Sequence, residues 1–212
     1  MIRHPMALTQ HQLSPVYPAG SRINEAGRLE IGGCDTVELA REFGTPAYIV
    51  AEDDLRARAR RMVAAYRERT PESDVVFASK AFPCTAVYRV LAEEGLGCDV
   101  ASAGELALAL RGGFSADRVH LHGNAKTAAE LSYAVDAGIG HVIADNLRDL
   151  ELLETIVQPG ARQSVLLRIA PGVSGETHPS ISTGGPNTKF GFSLADAPAA
   201  IERAQRSEER RV

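Results

Sequence analysis

No stretch of this chain approaches the ~20 consecutive apolar residues of a membrane-spanning helix. Its opening residues, Met1 to Gly20, mix His, Pro, Gln and Arg without an apolar segment of the kind an export signal carries. It has no basic surplus either: 23 Lys and Arg stand against 27 Asp and Glu, a net charge of -4. With nothing left over to neutralise a phosphate backbone, nucleic acid is not the expected partner and small molecules are. Cysteine is scarce and odd in number. Cys34, Cys84 and Cys98 show no paired short spacing, so neither a zinc site nor a disulfide framework is expected, and the setting they suit is reducing and cytoplasmic. Also missing are a Gly-x-Gly-x-x-Gly turn after the first strand signal and a Gly-Lys-Ser/Thr phosphate loop, which weighs against the nucleotide-binding versions of an open α/β sheet.

What the chain does have is a repeat. At 212 residues, 44% hydrophobic and 24% charged, it can build a sizeable core of one domain or one and a fraction. Ala47-Tyr48-Ile49-Val50 reads as a short apolar strand, and Asp53 or Asp54 as the cap of a helix with an apolar stripe of Leu55, Ala59, Met62, Val63 and Tyr66. Strand signals then recur at Val75–Ser79, Gly97–Ser102, Val119–His122, His141–Ala144 and Val165–Ile169. They are separated by helical stretches near Thr85–Glu94, Gly104–Arg111, Ala128–Ala137 and Leu147–Val157. After the sixth strand signal the rhythm breaks into a long polar segment, Pro171 to Gly191, before a last helix from Ala195 to about Arg206. Alternation with short connections implies parallel strands and right-handed crossovers, hence an α/β fold. An open doubly wound sheet and a barrel both fit the pattern; the missing nucleotide motifs favour an incomplete barrel.

In such folds the groups that meet a ligand sit just past the carboxyl ends of the strands. Lys80 follows the run Val75-Val76-Phe77-Ala78-Ser79 at that position. An amine there suggests imine chemistry, which uses the unprotonated form that partial burial favours; a lysine that merely ends its strand in solvent is the plainer alternative. Asp99 either tunes a neighbouring amine or bonds its local backbone. Glu105 is placed as a first-turn acid on a helix dipole. A guanidinium at Arg168 suits a phosphate or a carboxylate, or forms a structural ion pair. His122 and Asn124 either border a site or pack. His178 and Lys189 lie in the long polar loop. The cysteines are assigned no role in the site, packing being the default for a free thiol.

Several segments in order resemble a known family. Phe77-Ala78-Ser79-Lys80-Ala81, Gly97-Cys98-Asp99-Val100-Ala101-Ser102-Ala103-Gly104-Glu105-Leu106 and His122-Gly123-Asn124-Ala125-Lys126 are similar to the fold-type III pyridoxal-phosphate decarboxylases. The stretch Arg168-Ile169-Ala170-Pro171-Gly172-Val173, with Thr177 to Gly184 and Lys189-Phe190-Gly191, is most like the diaminopimelate decarboxylase branch. The resemblance spans roughly Thr45 to Arg206. It implies a (β/α)8, TIM-like barrel of the alanine racemase and decarboxylase type, with pyridoxal 5'-phosphate held covalently by Lys80. Asp99, Glu105, Arg168, His122 and Asn124 would lie around the cofactor, and His178 and Lys189 near the mouth of the site. The implied reaction converts meso-diaminopimelate to lysine and carbon dioxide, in a homodimer.

The family pattern continues past the point where this sequence stops. Its His-x-His-Ile-Gly-Ser segment, its glycine-rich phosphate loop, the acid that meets the pyridine nitrogen, the substrate-binding arginines and tyrosine, and the carboxyl-terminal β-domain have no counterpart before Val212. A complete barrel takes about 250 residues. The expected organisation is therefore an amino-terminal segment, residues 1–46, that would join the β-domain, followed by a partial cofactor-binding barrel over 47–212. Three functions stay open: part of the decarboxylase (or of one acting on another basic amino acid), a non-catalytic cofactor-binding or regulatory paralogue, and a fragment with no function of its own.

Overall fold

The structure, a computed structural model, describes residues 13–173 and 190–209. The chain divides into two compact units, Met1–Ser73 and Asp74–Val212.

In the first unit three short strands, β1 (Arg22–Ile23), β2 (Leu29–Ile31) and β3 (Cys34–Asp35), form an antiparallel meander. Asp35 then caps α1 (Thr36–Phe43) by accepting from the Val37 and Glu38 amides at 2.8 and 3.3 Å. The long helix α2 (Glu52–Arg67) follows, burying Ala59 and Val63.

The second unit carries the repeat. Five strands, β4 (Val76–Ala78), β5 (Gly97–Val100), β6 (Val119–Leu121), β7 (His141–Ala144) and β8 (Val165–Leu167), pair in parallel and in sequence order. The crossovers are α3 (Thr85–Glu93), α4 (Ala103–Gly112), α5 (Ala128–Asp136) and α6 (Leu147–Ile156). Cys98, Val100, Val119, Leu121, Val142 and Ala144 alternate onto one face and are fully or almost fully buried. Tyr88 of α3 anchors this core, its ring edge-on to Phe77 and Phe114 at 6.2 and 5.8 Å between centroids. Past Leu167 the chain switches partners: β9 (Ile169–Ala170) pairs in parallel with β10 (Phe192–Ser193), and Ala144, Leu150, Phe192 and Ala200 pack together under α7 (Ala197–Glu209).

Most expected elements are present within a residue or two, and four readings are corrected. Residues 47–50 form no strand: no ladder among the described residues includes them, and Tyr48 is 94% exposed. An apolar run becomes a strand only where a neighbour takes up its backbone groups. Helix α2 begins two or three residues earlier than expected, with Ala51 as its cap residue, so Asp53 and Asp54 are first-turn acids rather than caps. The expected strand over 165–169 is two. Arg168 sits between them, its amide donating back to the Ala144 carbonyl at 3.0 Å and its carbonyl accepting from Phe192 at 2.8 Å. The last helix starts at Ala197, and not at Ala195, because β10 and its turn occupy the preceding residues.

Candidate active site

Strand β4 passes directly into a 3-10 turn, Ser79–Ala81, so Lys80 stands exposed just beyond the carboxyl end of a sheet-edge strand. Ser79, beside it, is fully buried and donates its hydroxyl to a Glu105 carboxylate oxygen; the same oxygen accepts the Ala101 amide at 2.8 Å. Glu105 is the third residue of α4, whose cap, Ser102, accepts the Glu105 amide at 3.3 Å. The first-turn acid therefore also ties the turn bearing Lys80 to the end of β5.

Parallel register places Ala78, Asp99, His120 and His141 in one row across four strands, on the face opposite the apolar core. Asp99 reaches the next loop, its Oδ2 lying 3.2 Å from His122 Nδ1. The other atoms of that pair, Asp99 Oδ1 and His122 Nε2, are buried with no hydrogen-bond partner among the described residues, as is His141 Nδ1. The His120 and His141 rings meet edge-on at 4.9 Å. Burial, and after it His141, holds the His120 imidazole below its usual pKa.

Arg168 places a guanidinium nitrogen 2.8 Å from the buried Asp145 carboxylate and stacks over the Phe190 ring at 4.7 Å. Asn124 is exposed in the loop after β6. His178 and Lys189 lie outside the described residues. The chain contains three lysines, Lys80, Lys126 and Lys189. Lys126 is buried against Asp149, which leaves Lys80 as the exposed lysine among the described residues. Cys98 is no rival nucleophile: burial first, then Asp99, pushes its thiol up to about 12. None of the three cysteines is in a disulfide.

The structure thus brings Lys80, Glu105, Asp99 and His122 to adjoining strand ends, with Arg168 two strands farther along at the end of β8. Sequence reasoning passed over Ser79, His120, His141, Asp145 and the Lys126–Asp149 pair. The alternation Val119-His120-Leu121-His122 carried the signal for His120, since a strand that buries its valine and leucine turns both histidines to the other face. Nothing local in the sequence marks Lys126, whose partner lies 23 residues away.

A parallel sheet with its polar row and an amine at the carboxyl ends of the strands is the layout of a cofactor-dependent α/β enzyme domain. The chain belongs to the pyridoxal-dependent decarboxylases, whose pyridoxal-binding domain matches residues 53–212. Among its named relatives, the diaminopimelate decarboxylase of Actinosynnema pretiosum subsp. auranticum is 48% identical over 190 residues, covering 89% of this chain and 42% of the relative. That of Bacillus subtilis (strain 168) is 42% identical over 191 residues, covering 89% and 44%. The crystal structure of diaminopimelate decarboxylase from M. jannaschii in complex with L-lysine superimposes with a TM-score of 0.77 at 33% identity, covering 89% of this chain and 45% of that one. The chain therefore spans less than half the length of these relatives.

Proposed function

We propose that this chain is the pyridoxal-phosphate-binding part of an enzyme that decarboxylates meso-diaminopimelate to lysine and carbon dioxide. The observation that carries the reading is the exposed Lys80 at the end of β4, with Asp99 on the next strand and His122 after the one beyond, the latter two each holding a buried polar atom with no partner among the described residues. Unpaired buried polar atoms are costly, and a polar aromatic ligand seated at these strand ends would satisfy them. These residues fit the cofactor. Lys80 would hold it through its amine, with Asp99 and His122 supplying polar contacts and Arg168 a positive charge. When bound, pyridoxal phosphate supplies a sink for the electron pair left as the carbon–carboxylate bond breaks.

The residues of this chain serve that chemistry by position. Glu105 and Ser79 fix the turn from which Lys80 projects, and Asp99 orients the His122 ring through Nδ1, which leaves Nε2 for a ligand. The departing carboxylate is replaced by one proton on the same carbon, so product and substrate differ by carbon dioxide alone. The substrate assignment rests on the relatives, which are diaminopimelate decarboxylases, and on the lysine bound in the M. jannaschii structure. A cytoplasmic location and a homodimer belong to the same reading. No helix among the described residues is long and apolar enough to cross a membrane.

The test is carbon dioxide release by the full-length protein carrying residues 1–212, supplied with pyridoxal phosphate and a panel of basic amino acids. Lysine formed stoichiometrically from meso-diaminopimelate, and abolished in Lys80→Ala, is expected. Faster release from ornithine or arginine would overturn the substrate. Cofactor binding without turnover of any of them would favour the non-catalytic alternative.

A further inference from the structure

Three successive helices of the second unit begin alike. The caps Ser102, Thr127 and Asn146 are each followed three residues later by an acid, Glu105, Glu130 and Asp149, whose amide the cap side chain accepts. The three carboxylates also share a second contact that a cap does not require. Each reaches back to the preceding strand-to-helix junction: Glu105 to the Ser79 hydroxyl after β4, Glu130 to the amide of Ala103, the first residue of α4, at 3.4 Å, and Asp149 to the Lys126 ammonium after β6 at 2.8 Å. One device, repeated, stitches neighbouring loops along the carboxyl ends of the sheet.

The third stitch is of a different kind, because it is an ion pair with both side chains only 2% exposed. Lys126 Nζ also donates to the Gly123 carbonyl at 2.6 Å, and Asp149 Oδ2 also accepts the Asp145 amide at 2.9 Å. Gly123 has a φ of +87° and lies so close to Ala101 that a Cβ there would come within 2.7 Å of its carbonyl oxygen. The loop that starts at His122 is thus seated on the end of β5 and closed at its other end by Lys126. From the second loop Asp145 extends its carboxylate to Arg168. A buried ion pair adds little net stability over hydrocarbon of the same volume, so its presence calls for another explanation.

We propose that Lys126 and Asp149 are positioning residues of the cofactor site, locking the loops after β6 and β7 so that His122 stays on Asp99 and Asp145 stays on Arg168. This rests on the cofactor reading above and deepens it. Neither residue touches the cofactor; both act through the four side chains they hold in place.

The test compares pyridoxal phosphate dissociation constants of the full chain and its variants, with far-UV circular dichroism to verify folding. Lys126→Met and Asp149→Asn each leave one buried group without its partner, so the double variant Lys126→Leu/Asp149→Leu, which removes both charges and keeps the volume filled, is measured beside them. A loss of affinity of about tenfold or more in a folded double variant is expected, and each single variant that folds should lose at least as much, because it leaves a buried group unpaired. A folded double variant that binds as tightly as the parent overturns the proposal while leaving the cofactor reading intact, because a pair that serves packing alone would not move the constant. A parent chain that shows no saturable binding overturns both.

Discussion

The fold alters the titration of His120. Burial and the adjacent His141 lower its affinity for a proton in the native state, so the unfolded chain takes up a proton that the folded chain refuses. Where the unfolded state binds more protons, stability rises with pH. Unfolding free energy should therefore fall as pH drops from about 7 towards about 5, through the ordinary histidine range. His120→Asn should flatten that slope, and urea melts at several pH values would show it; identical slopes in parent and variant would exclude His120 as the source. At this scale the sequence was legible for residues that carry their own signal. Lys80 could be read from its position after an apolar run. Asp145 could not, because its importance comes from Arg168, 23 positions away. The roles of Glu105 were half visible: its spacing from Ser102 marks a first-turn acid, and only the fold shows that the Ser79 hydroxyl points at it.

At the scale of elements, Gly140, the residue before β7, lies very close to the turn before β6. A Cβ on Gly140 would lie 2.0 Å from the Asp117 carbonyl oxygen, and backbone cannot rotate away as a side chain can. Gly140→Ala should cost about 2–3 kcal/mol. Gly104→Ala, in the first turn of α4 where the nearest atom is Ser102 Oγ at 3.8 Å, should instead gain roughly 0.5–1 kcal/mol by restricting the unfolded chain. Denaturant midpoints of the two variants moving in the same direction would contradict this packing. The long, periodic elements α3 to α6 and the strands between them were readable because each buries one face against the next. The meander β1 to β3 was not, since strands of two or three residues are too short to show a period of two. Residues 47–50 failed for the opposite reason, having the composition of a strand but no place in a ladder among the described residues.

For the whole molecule, the alternation of strand and helix was enough to give an α/β fold with parallel strands, and the motifs along it were enough to give the family. The barrel is only partly present: five strands run in sequence order from β4 to β8, and β9 with β10 extends the series by a separate ladder. Whether this sheet presents Lys80 to pyridoxal phosphate is decided by covalent capture. The chain is mixed with the cofactor, reduced with borohydride, digested and mapped by mass spectrometry. A pyridoxyl group on Lys80, lost in Lys80→Ala, is expected. An adduct that is absent, or that forms on Lys126 or Lys189 to the same extent without Lys80, would contradict it.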